Sequence, residues 1–245
     1  MKIIIAEKIS ASAVAQLQEP GWTVLTADQL DGKLEQELES ADALIVRSAV
    51  QADAKLLEHA KKLRVIGRAG VGVDNIDLEA ATHKGIAVMN TPGANAVAVA
   101  EQTLGMMLAM ARFLCRADAL MHAGKWEKKS LQGTELRGKT LGIIGLGRIG
   151  MEVARRARAF GMELVAHDPF VSVSVAKEQA IRLAGLDEIY AAADYITLHV
   201  GLTQQTTGMI NAESIAKMKK GVRLVNCARG EIGRASCRER VLVTV

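Results

Sequence analysis

Six residues near the middle of the chain, Gly145-Leu146-Gly147-Arg148-Ile149-Gly150, have the spacing of a turn that can hold a dinucleotide. They follow the apolar run Leu141-Gly142-Ile143-Ile144 and open a helical pattern. In that setting Gly145 permits a tight turn, Gly147 lets the backbone approach a pyrophosphate, and Gly150 lets helix and strand pack closely. The helix that starts there offers N–H groups and the positive end of its dipole to phosphates. Asp168 closes the next apolar run, roughly twenty residues on, where a carboxylate accepts hydrogen bonds from an adenosine ribose and repels a 2′-phosphate. That choice favours NAD over NADP. The plainer alternative is a glycine-rich turn followed by an exposed aspartate.

Other residues suit an anionic substrate. Val225-Asn226-Cys227-Ala228-Arg229-Gly230 puts Arg229 just past a strand, at the edge of an open α/β sheet that faces ligands. A guanidinium there can fork onto a carboxylate with two parallel hydrogen bonds, although a surface loop arginine is an equal alternative. Arg47-Ser48 and Arg68-Ala69-Gly70-Val71-Gly72 follow two earlier strands at the corresponding edge of another sheet. Their cations, hydroxyl and bare backbone N–H groups match an anion, and ordinary turn chemistry also accounts for them.

His59, His83 and His122 lie in polar contexts typical of solvated side chains. His167 and His199 end strands, with no evident carboxylate partner. Cys115 is expected in the core of a long helix. Cys227 lies beside the ligand edge, without a base to activate it. Met106, Met107 and Met110 have the helical spacing of packing residues. With Cys237 the cysteines number 3 and form no CxxC pair. That fits a reducing compartment and supplies neither a metal site nor a disulfide framework.

The elements that must hold these residues alternate between short aliphatic runs and helical patterns, the rhythm of parallel sheets. Strands are expected at Ile3–Ala6, Thr23–Thr26, Ala43–Val46, Leu63–Ile66 and Ile86–Met89, with helices at Ala11–Gln18, Asp31–Glu39 and Ala52–Ala60. Asn90-Thr91-Pro92-Gly93 breaks the pattern and reads as a hinge, since Pro92 lacks an N–H and restricts Thr91. One long helix from about Asn95 to about Ala119 follows. A second series has strands at Thr140–Ile144, Glu163–His167, Tyr195–His199 and Val222–Asn226, and a short one near Ile181–Leu183. Its helices are Arg148–Phe160, Ser174–Gln179, Leu186–Ala192 and Ala212–Met218. Two doubly wound parallel-sheet domains of the α/β class are therefore expected, with a ligand cleft between them.

Composition narrows the function further. The 245 residues carry 31 Lys plus Arg against 27 Asp plus Glu, for a net charge of +4. Hydrophobic residues make up 49% and aromatics 3%, which excludes a disordered chain and an aromatic platform for nucleic acid. Met1-Lys2-Ile3-Ile4-Ile5 is too short for a signal-peptide core, and Glu7 and Lys8 follow at once. The apolar stretch Ala94 to Cys115 contains Asn95, Glu101, Gln102 and Arg112, too many polar groups for a membrane span. A soluble cytoplasmic protein is expected, with no nucleic-acid or membrane partner.

Residues 1–231 resemble the D-isomer-specific 2-hydroxyacid dehydrogenases. The matching strings are Leu44-Ile45-Val46-Arg47-Ser48, Gly67-Arg68-Ala69-Gly70-Val71-Gly72-Val73-Asp74-Asn75-Ile76-Asp77 and Met89-Asn90-Thr91-Pro92-Gly93. Gly124-Lys125-Trp126-Glu127, Gly133-Thr134-Glu135-Leu136 and Asn226-Cys227-Ala228-Arg229-Gly230 match as well. Arg47-Ser48 and Gly124-Lys125-Trp126-Glu127 point within the family to a phosphorylated 2-hydroxy acid.

The resemblance implies a flavodoxin-like substrate domain at 1–94 and an incomplete Rossmann NAD-binding domain at 95–231. It implies reversible hydride transfer between NAD and C2 of the acid, in a homo-oligomer when full length. By position, Arg229 would bind the substrate carboxylate and polarise the C2 oxygen. Arg47, Ser48, Arg68, Gly70 and Val71 would serve the substrate, Val71 also the nicotinamide end. Gly145, Gly147, Arg148, Ile149 and Gly150 would hold the pyrophosphate and Asp168 the ribose. Val200, Cys227 and Ala228 would border the nicotinamide. Gly201 replaces the family's usual proline and should leave its loop less fixed. Other 2-hydroxy acids, such as glyoxylate, glycerate or lactate, and a non-catalytic NAD-binding corepressor-like role are the alternatives.

Of the family's catalytic Arg, Glu and His, only the Arg is matched. Residues 232–245 depart from the family pattern as an aberrant tail without helical or strand logic. A chain so truncated is expected to be inactive and poorly soluble, with the edge of the strand ending at Asn226 left bare.

Overall fold

The computed structural model describes residues 1–233 and 242–244. The chain divides into two compact units, Met1–Asn95 and Ala96–Val245.

The first unit runs β1 (Lys2–Ile5), α1 (Ala11–Gln16), β2 (Thr23–Leu25), α2 (Ala27–Leu30), α3 (Leu34–Leu38), β3 (Ala43–Val46), α4 (Ala54–Glu58), β4 (Val65–Arg68), α5 (Leu78–His83) and β5 (Ala87–Asn90). Its strands form one parallel sheet in the order β2-β1-β3-β4-β5, the flavodoxin-like winding. Alternate residues serve opposite faces. Ile4, Leu44, Val46 and Ile66 enter the larger core under α4 and α5, while Ile3, Ile5 and Ala43 face the smaller one.

Three expectations for this unit change. The helix expected at Asp31–Glu39 is two short helices, because Asp31 and Gly32 take left-handed backbone, with φ of 46° and 74°. The fourth strand lies two residues later than the apolar run suggested: Leu63 is core packing before the strand, and Val65 pairs with Ala43. That shift makes Arg68 the last strand residue, between Val46 and Asn90. Helix α5 was not anticipated, although Asp77 caps it by accepting the Ala80 N–H at 2.9 Å.

The second unit begins with α6 (Ala96–Arg112) and α7 (Leu114–His122). The single long helix expected here breaks at Phe113, whose φ of 54° is left-handed, and the two halves meet at 65°. Cys115 consequently lies exposed on α7, not in a core. Met106 and Met107 do pack inside. Among the described residues no single helix is long and apolar enough to cross a membrane.

After a short 3-10 turn the unit continues with β6 (Thr140–Ile144), α8 (Arg148–Ala159), β7 (Glu163–His167), α9 (Val173–Glu178), β8 (Arg182–Leu183), α10 (Leu186–Ala192), β9 (Tyr195–Leu198), α11 (Ala212–Ala216), β10 (Arg223–Asn226) and β11 (Leu242–Thr244). The parallel sheet has the order β11-β10-β9-β6-β7-β8, a six-strand Rossmann winding with β6 at its centre. One core joins α6 and α8 to Leu141, Ile143 and Val225. The other face holds Ile144, Ile189, Ile196 and Leu224 with α10 and α11.

The tail corrects two expectations. The strand ending at Asn226 is not a bare edge: Leu242, Val243 and Thr244 pair with Leu224, Val225 and Asn226. Their Leu-Val-Thr sequence has the β-branched character of a strand. Ile232 is fully buried, and Gly233 bridges Ile210. Residues 234–241 and 245, including Cys237, lie outside the described residues.

Candidate functional site

In parallel sheets every strand exposes its C-terminal end on the same edge, and loops leaving that edge converge. In the second unit this brings together Gly145 after β6, Asp168 after β7, His199 and Val200 after β9, and Cys227–Arg229 after β10.

The turn after β6 is forced by packing. Gly145 has a φ of 91°, and a Cβ there would meet the His199 carbonyl oxygen at 2.6 Å and Val200 Cγ1 at 2.9 Å. A Cβ on Gly150 would collide with the Gly145 carbonyl oxygen, so α8 lies directly against the turn it leaves. Gly147 differs, because nothing lies within 4 Å of its Cβ position. It is exposed, it is the N-cap of α8, and it provides no side-chain cap for the helix N–H groups. Arg148 is exposed on the first turn, while Ile149 packs inward. An open backbone cradle at an uncapped 12-residue helix fits a pyrophosphate.

Asp168 ties this turn to the next strand. Its Oδ2 accepts the Leu146 N–H at 2.7 Å and its Oδ1 accepts the Phe170 N–H at 2.9 Å. Each carboxylate oxygen keeps a second lone pair for a ribose hydroxyl.

Asn226, which the sequence showed only as a strand end, organises the Arg229 loop. It is buried, its Nδ2 donates to the Arg229 carbonyl oxygen at 2.8 Å, and its Oδ1 accepts the Ala228 N–H at 2.9 Å. Arg229 Nη1 also donates to the Ala228 carbonyl oxygen at 3.0 Å. Thr103 of α6 donates to Cys227 Sγ at 3.4 Å. Burial pushes the Cys227 thiol up, against the effect of that hydrogen bond, and keeps it protonated.

His199 turns its ring toward the polar side chain of Thr197, with 2.9 Å between Nε2 and Oγ1. Its Nδ1 is sealed from solvent with no partner among the described residues, and burial holds its pKa at about 4. His167 Nδ1 lies 3.1 Å from the Ala184 carbonyl oxygen. No carboxylate pairs with either ring among the described residues. The loop carrying Gly201 is firmer than its sequence suggests: Thr206 Oγ1 donates to the Gly201 carbonyl oxygen at 2.7 Å and accepts the Thr203 N–H at 2.8 Å.

In the first unit the same edge gathers Glu7, Arg47, Ser48, Arg68, Gly70 and Val71. Arg47 and Ser48 are exposed in a loop that Glu7 cradles. The Glu7 carboxylate accepts N–H groups of Arg47 at 2.8 Å, Ala49 at 3.1 Å and Val50 at 3.0 Å. Burial acts against its charge, yet the backbone donors from Arg47 to Val50 hold its carboxyl below the ordinary glutamate range. Asn75 Nδ2 donates to the carbonyl oxygens of Arg47 at 3.0 Å and Val50 at 2.6 Å.

The Gly70–Val71 turn is pinned in the same way. The Thr91 N–H donates to the Gly70 carbonyl oxygen at 3.0 Å, and Asn90 Nδ2 to that of Val71 at 2.6 Å. The Arg68 guanidinium lies against Gly70, whose missing Cβ leaves it room, and the buried Arg68 Nε has no partner among the described residues. Glu7, Asn75, Asn90 and Asn226 are the positioning residues that sequence reading missed. Asn75, Asn90 and Asn226 stand inside the matched strings without a role that spacing could assign, and Glu7 follows the first strand with no motif around it.

Comparison with known proteins fits these geometries. Residues 104–236 match the family described as D-isomer specific 2-hydroxyacid dehydrogenase, NAD binding domain. The chain is 49% identical over 232 residues to D-3-phosphoglycerate dehydrogenase of Rattus norvegicus, covering 94% of this chain and 44% of that protein. It is 45% identical over 230 residues to hydroxypyruvate reductase of Thermotoga maritima, covering 94% of this chain and 74% of that one. Among solved structures, D-lactate dehydrogenase from Aquifex aeolicus, complexed with NAD and lactic acid, superposes with a TM-score of 0.87 at 31% identity, covering 100% of this chain and 76% of that one. The chain thus spans less than half the length of the phosphoglycerate enzyme it matches.

Proposed function

The chain belongs to the D-isomer-specific 2-hydroxyacid dehydrogenase family, and from that premise we propose that it serves the NAD-dependent oxidation of 3-phospho-D-glycerate to 3-phosphohydroxypyruvate. The observation that carries the reading is the single sheet edge bearing the open Gly147 cradle, Asp168 and the Arg229 loop. NAD supplies the acceptor for the hydride that leaves C2. The hydroxyl proton released with that hydride needs a base, and because only the Arg of the family's Arg, Glu and His is matched, the residues named below bind and orient the substrate without taking that proton.

In this reading Gly145, Gly147, Arg148, Ile149 and Gly150 seat the pyrophosphate, and Asp168 takes the ribose hydroxyls. Val200, Cys227 and Ala228 border the nicotinamide, with Cys227 a neutral wall rather than a nucleophile. Arg229 grips the substrate carboxylate and holds the C2 oxygen, a contact that in the reverse direction polarises the C2 carbonyl toward an incoming hydride. Arg47, Ser48 and Arg68 supply charge and donors for the phosphate, while the Gly70 N–H is held by the Arg68 carbonyl oxygen at 2.8 Å and Gly70 and Val71 shape the turn beside them. The serine-forming direction of metabolism is the role the substrate suggests.

Free Cys115 and Cys227 thiols suit the reducing cytoplasm. A homo-oligomer is part of the proposal: α7 buries none of its residues and leaves Leu114 and Met121 exposed. A second reading, reduction of an unphosphorylated 2-oxo acid, draws on the match to hydroxypyruvate reductase.

Calorimetric titration with NAD and NADP, followed by thermal melts with 3-phosphoglycerate, glycerate and lactate, tests the proposal. NAD should bind at least about tenfold more tightly than NADP, and the phosphorylated acid should raise the melting temperature most. Absent NAD binding would overturn the cofactor reading, and a stronger response to glycerate would favour the second.

A further inference from the structure

The opposite edge of the second sheet carries a small basic cavity, of about 150 Å³, that the proposed reaction does not use. Its walls come from the starts of three strands: Lys139 precedes β6, Asp194 and Tyr195 open β9, and the Lys219–Arg223 turn leads into β10. Thr134, anchored to α6 by its N–H on the Ala111 carbonyl oxygen at 2.9 Å, closes one side. Gly145, His199 and Asn226 lie at the far ends of the same strands. At about 3.3 Å per residue, the five residues of β6 separate the two edges by roughly 15 Å.

The charge in this cavity is unbalanced. Lys139, Lys219, Lys220 and Arg223 face one carboxylate, Asp194. That carboxylate is already spent: Oδ2 accepts the Thr140 N–H at 2.9 Å and Oδ1 pairs with Lys219 Nζ at 3.1 Å. Burial opposes its charge, but Thr140, Lys219 and Lys139 together keep its carboxyl below the ordinary aspartate range. No carboxylate lies within ion-pair distance of Lys139, Lys220 or Arg223 among the described residues, although the Lys139 charge reaches Asp194 through space. Three like charges gathered at one cavity repel one another and gain from a shared anion.

The arginine is also held ready. Arg223 Nη1 donates to the Tyr195 hydroxyl and to Thr134 Oγ1, the latter at 3.1 Å, and the guanidinium stacks 5.3 Å from the Tyr195 ring centroid. Tyr195 is buried, so its ring fixes the plane of the guanidinium. Fixing that plane in advance lowers the entropy lost when the remaining N–H donors engage an anion. The cavity has room for one tetrahedral oxyanion.

We propose that Lys139, Lys220 and Arg223, with Thr134 beside them, form a phosphate-class oxyanion site at the strand-start edge, separate from the dinucleotide edge. The occupant is either free inorganic phosphate or the phosphoryl group of a monoester. The site does not depend on the dehydrogenase reading.

Titration of the whole chain with inorganic phosphate, followed by calorimetry in phosphate-free buffer, tests this. Saturable one-to-one binding is expected. It should weaken at least about tenfold in R223Q and in the double variant K139Q/K220Q, and persist unchanged under saturating NAD. The cation over the Tyr195 ring is Arg223, so K139Q/K220Q keeps that pair and keeps the test valid if R223Q melts early. Phenyl phosphate separates the two sources: equal affinity assigns the site to phosphomonoesters, and rejection assigns it to the free ion. Absent saturation, unchanged affinity in the lysine double variant, or displacement by NAD overturns the proposal.

Discussion

Asn226 and Arg229 are joined by a hydrogen bond from the Asn226 side-chain amide to the Arg229 carbonyl oxygen, 2.8 Å long and buried at the end of β10. Together with the Ala228 N–H on Asn226 Oδ1, it closes the loop that aims the guanidinium. Replacing Asn226 by alanine strips the part-buried Ala228 N–H of its acceptor and leaves the Arg229 carbonyl oxygen with only the Ile232 N–H, at 3.3 Å. The expected cost is about 1–3 kcal/mol in urea unfolding. Affinity for a small carboxylate such as oxalate should fall with it. N226A with unchanged stability and unchanged affinity would show that the loop holds its own shape.

The three glycines of the turn separate stability from binding. Gly150→Ala forces a methyl into the Gly145 carbonyl oxygen and should lower the melting temperature outright. Gly147→Ala faces open space and should leave the melting temperature nearly unchanged while weakening NAD at least about tenfold. Thermal melts with and without NAD read both effects. Equal melting behaviour in the two variants would contradict the geometry.

Acidification should act through His199. Its folded-state pKa of about 4 lies below the ordinary value of 6.5. Between those values the unfolded chain takes up a proton that the folded chain refuses. Stability is therefore intact above pH 6.5 and lost as pH falls toward 4, with a slope approaching about 1.4 kcal/mol per pH unit. Urea unfolding across this range, in the native chain and in His199→Gln, measures it. The variant should lose most of the slope, and an identical slope in both chains would assign the effect elsewhere.

Asp168→Asn should blur the choice of dinucleotide. The amide no longer repels a 2′-phosphate, and it retains one carbonyl oxygen to accept the Leu146 N–H. NAD affinity should drop several-fold, and the NADP affinity should rise toward it, as read by calorimetry. Unaltered discrimination would place the specificity outside this carboxylate.

The sequence was most readable where local chemistry and fold agree. Gly145, Gly150 and Asp168 are spaced by the turn, helix and strand they serve, so a one-dimensional pattern carries them. Aliphatic runs located the sheets because both faces of a parallel strand are buried. Leu63 misled for the same reason, being apolar for packing without being paired. The break at Phe113 had no glycine or proline to announce it. Glu7, Asn75 and Asn90 were silent because their partners lie 19 to 43 residues away, a separation no local pattern records. The strand Leu242–Thr244 was missed because its identity comes from the neighbour it pairs with.

Among the described residues, all five strands of the first sheet fall within one continuous stretch, Met1–Asn95. Synthesis proceeds from that end. Once residue 95 has been joined to the chain, 150 residues of the sequence still follow it (245 − 95 = 150), which take roughly 8 to 30 s to add at typical elongation rates. Domain-sized folding is commonly faster than that. The half bearing Arg47 and Arg68 can thus close its sheet while the nucleotide-binding half is still being translated, so a nascent chain stalled far enough past residue 95 for that stretch to have emerged should already resist protease across its first 95 residues.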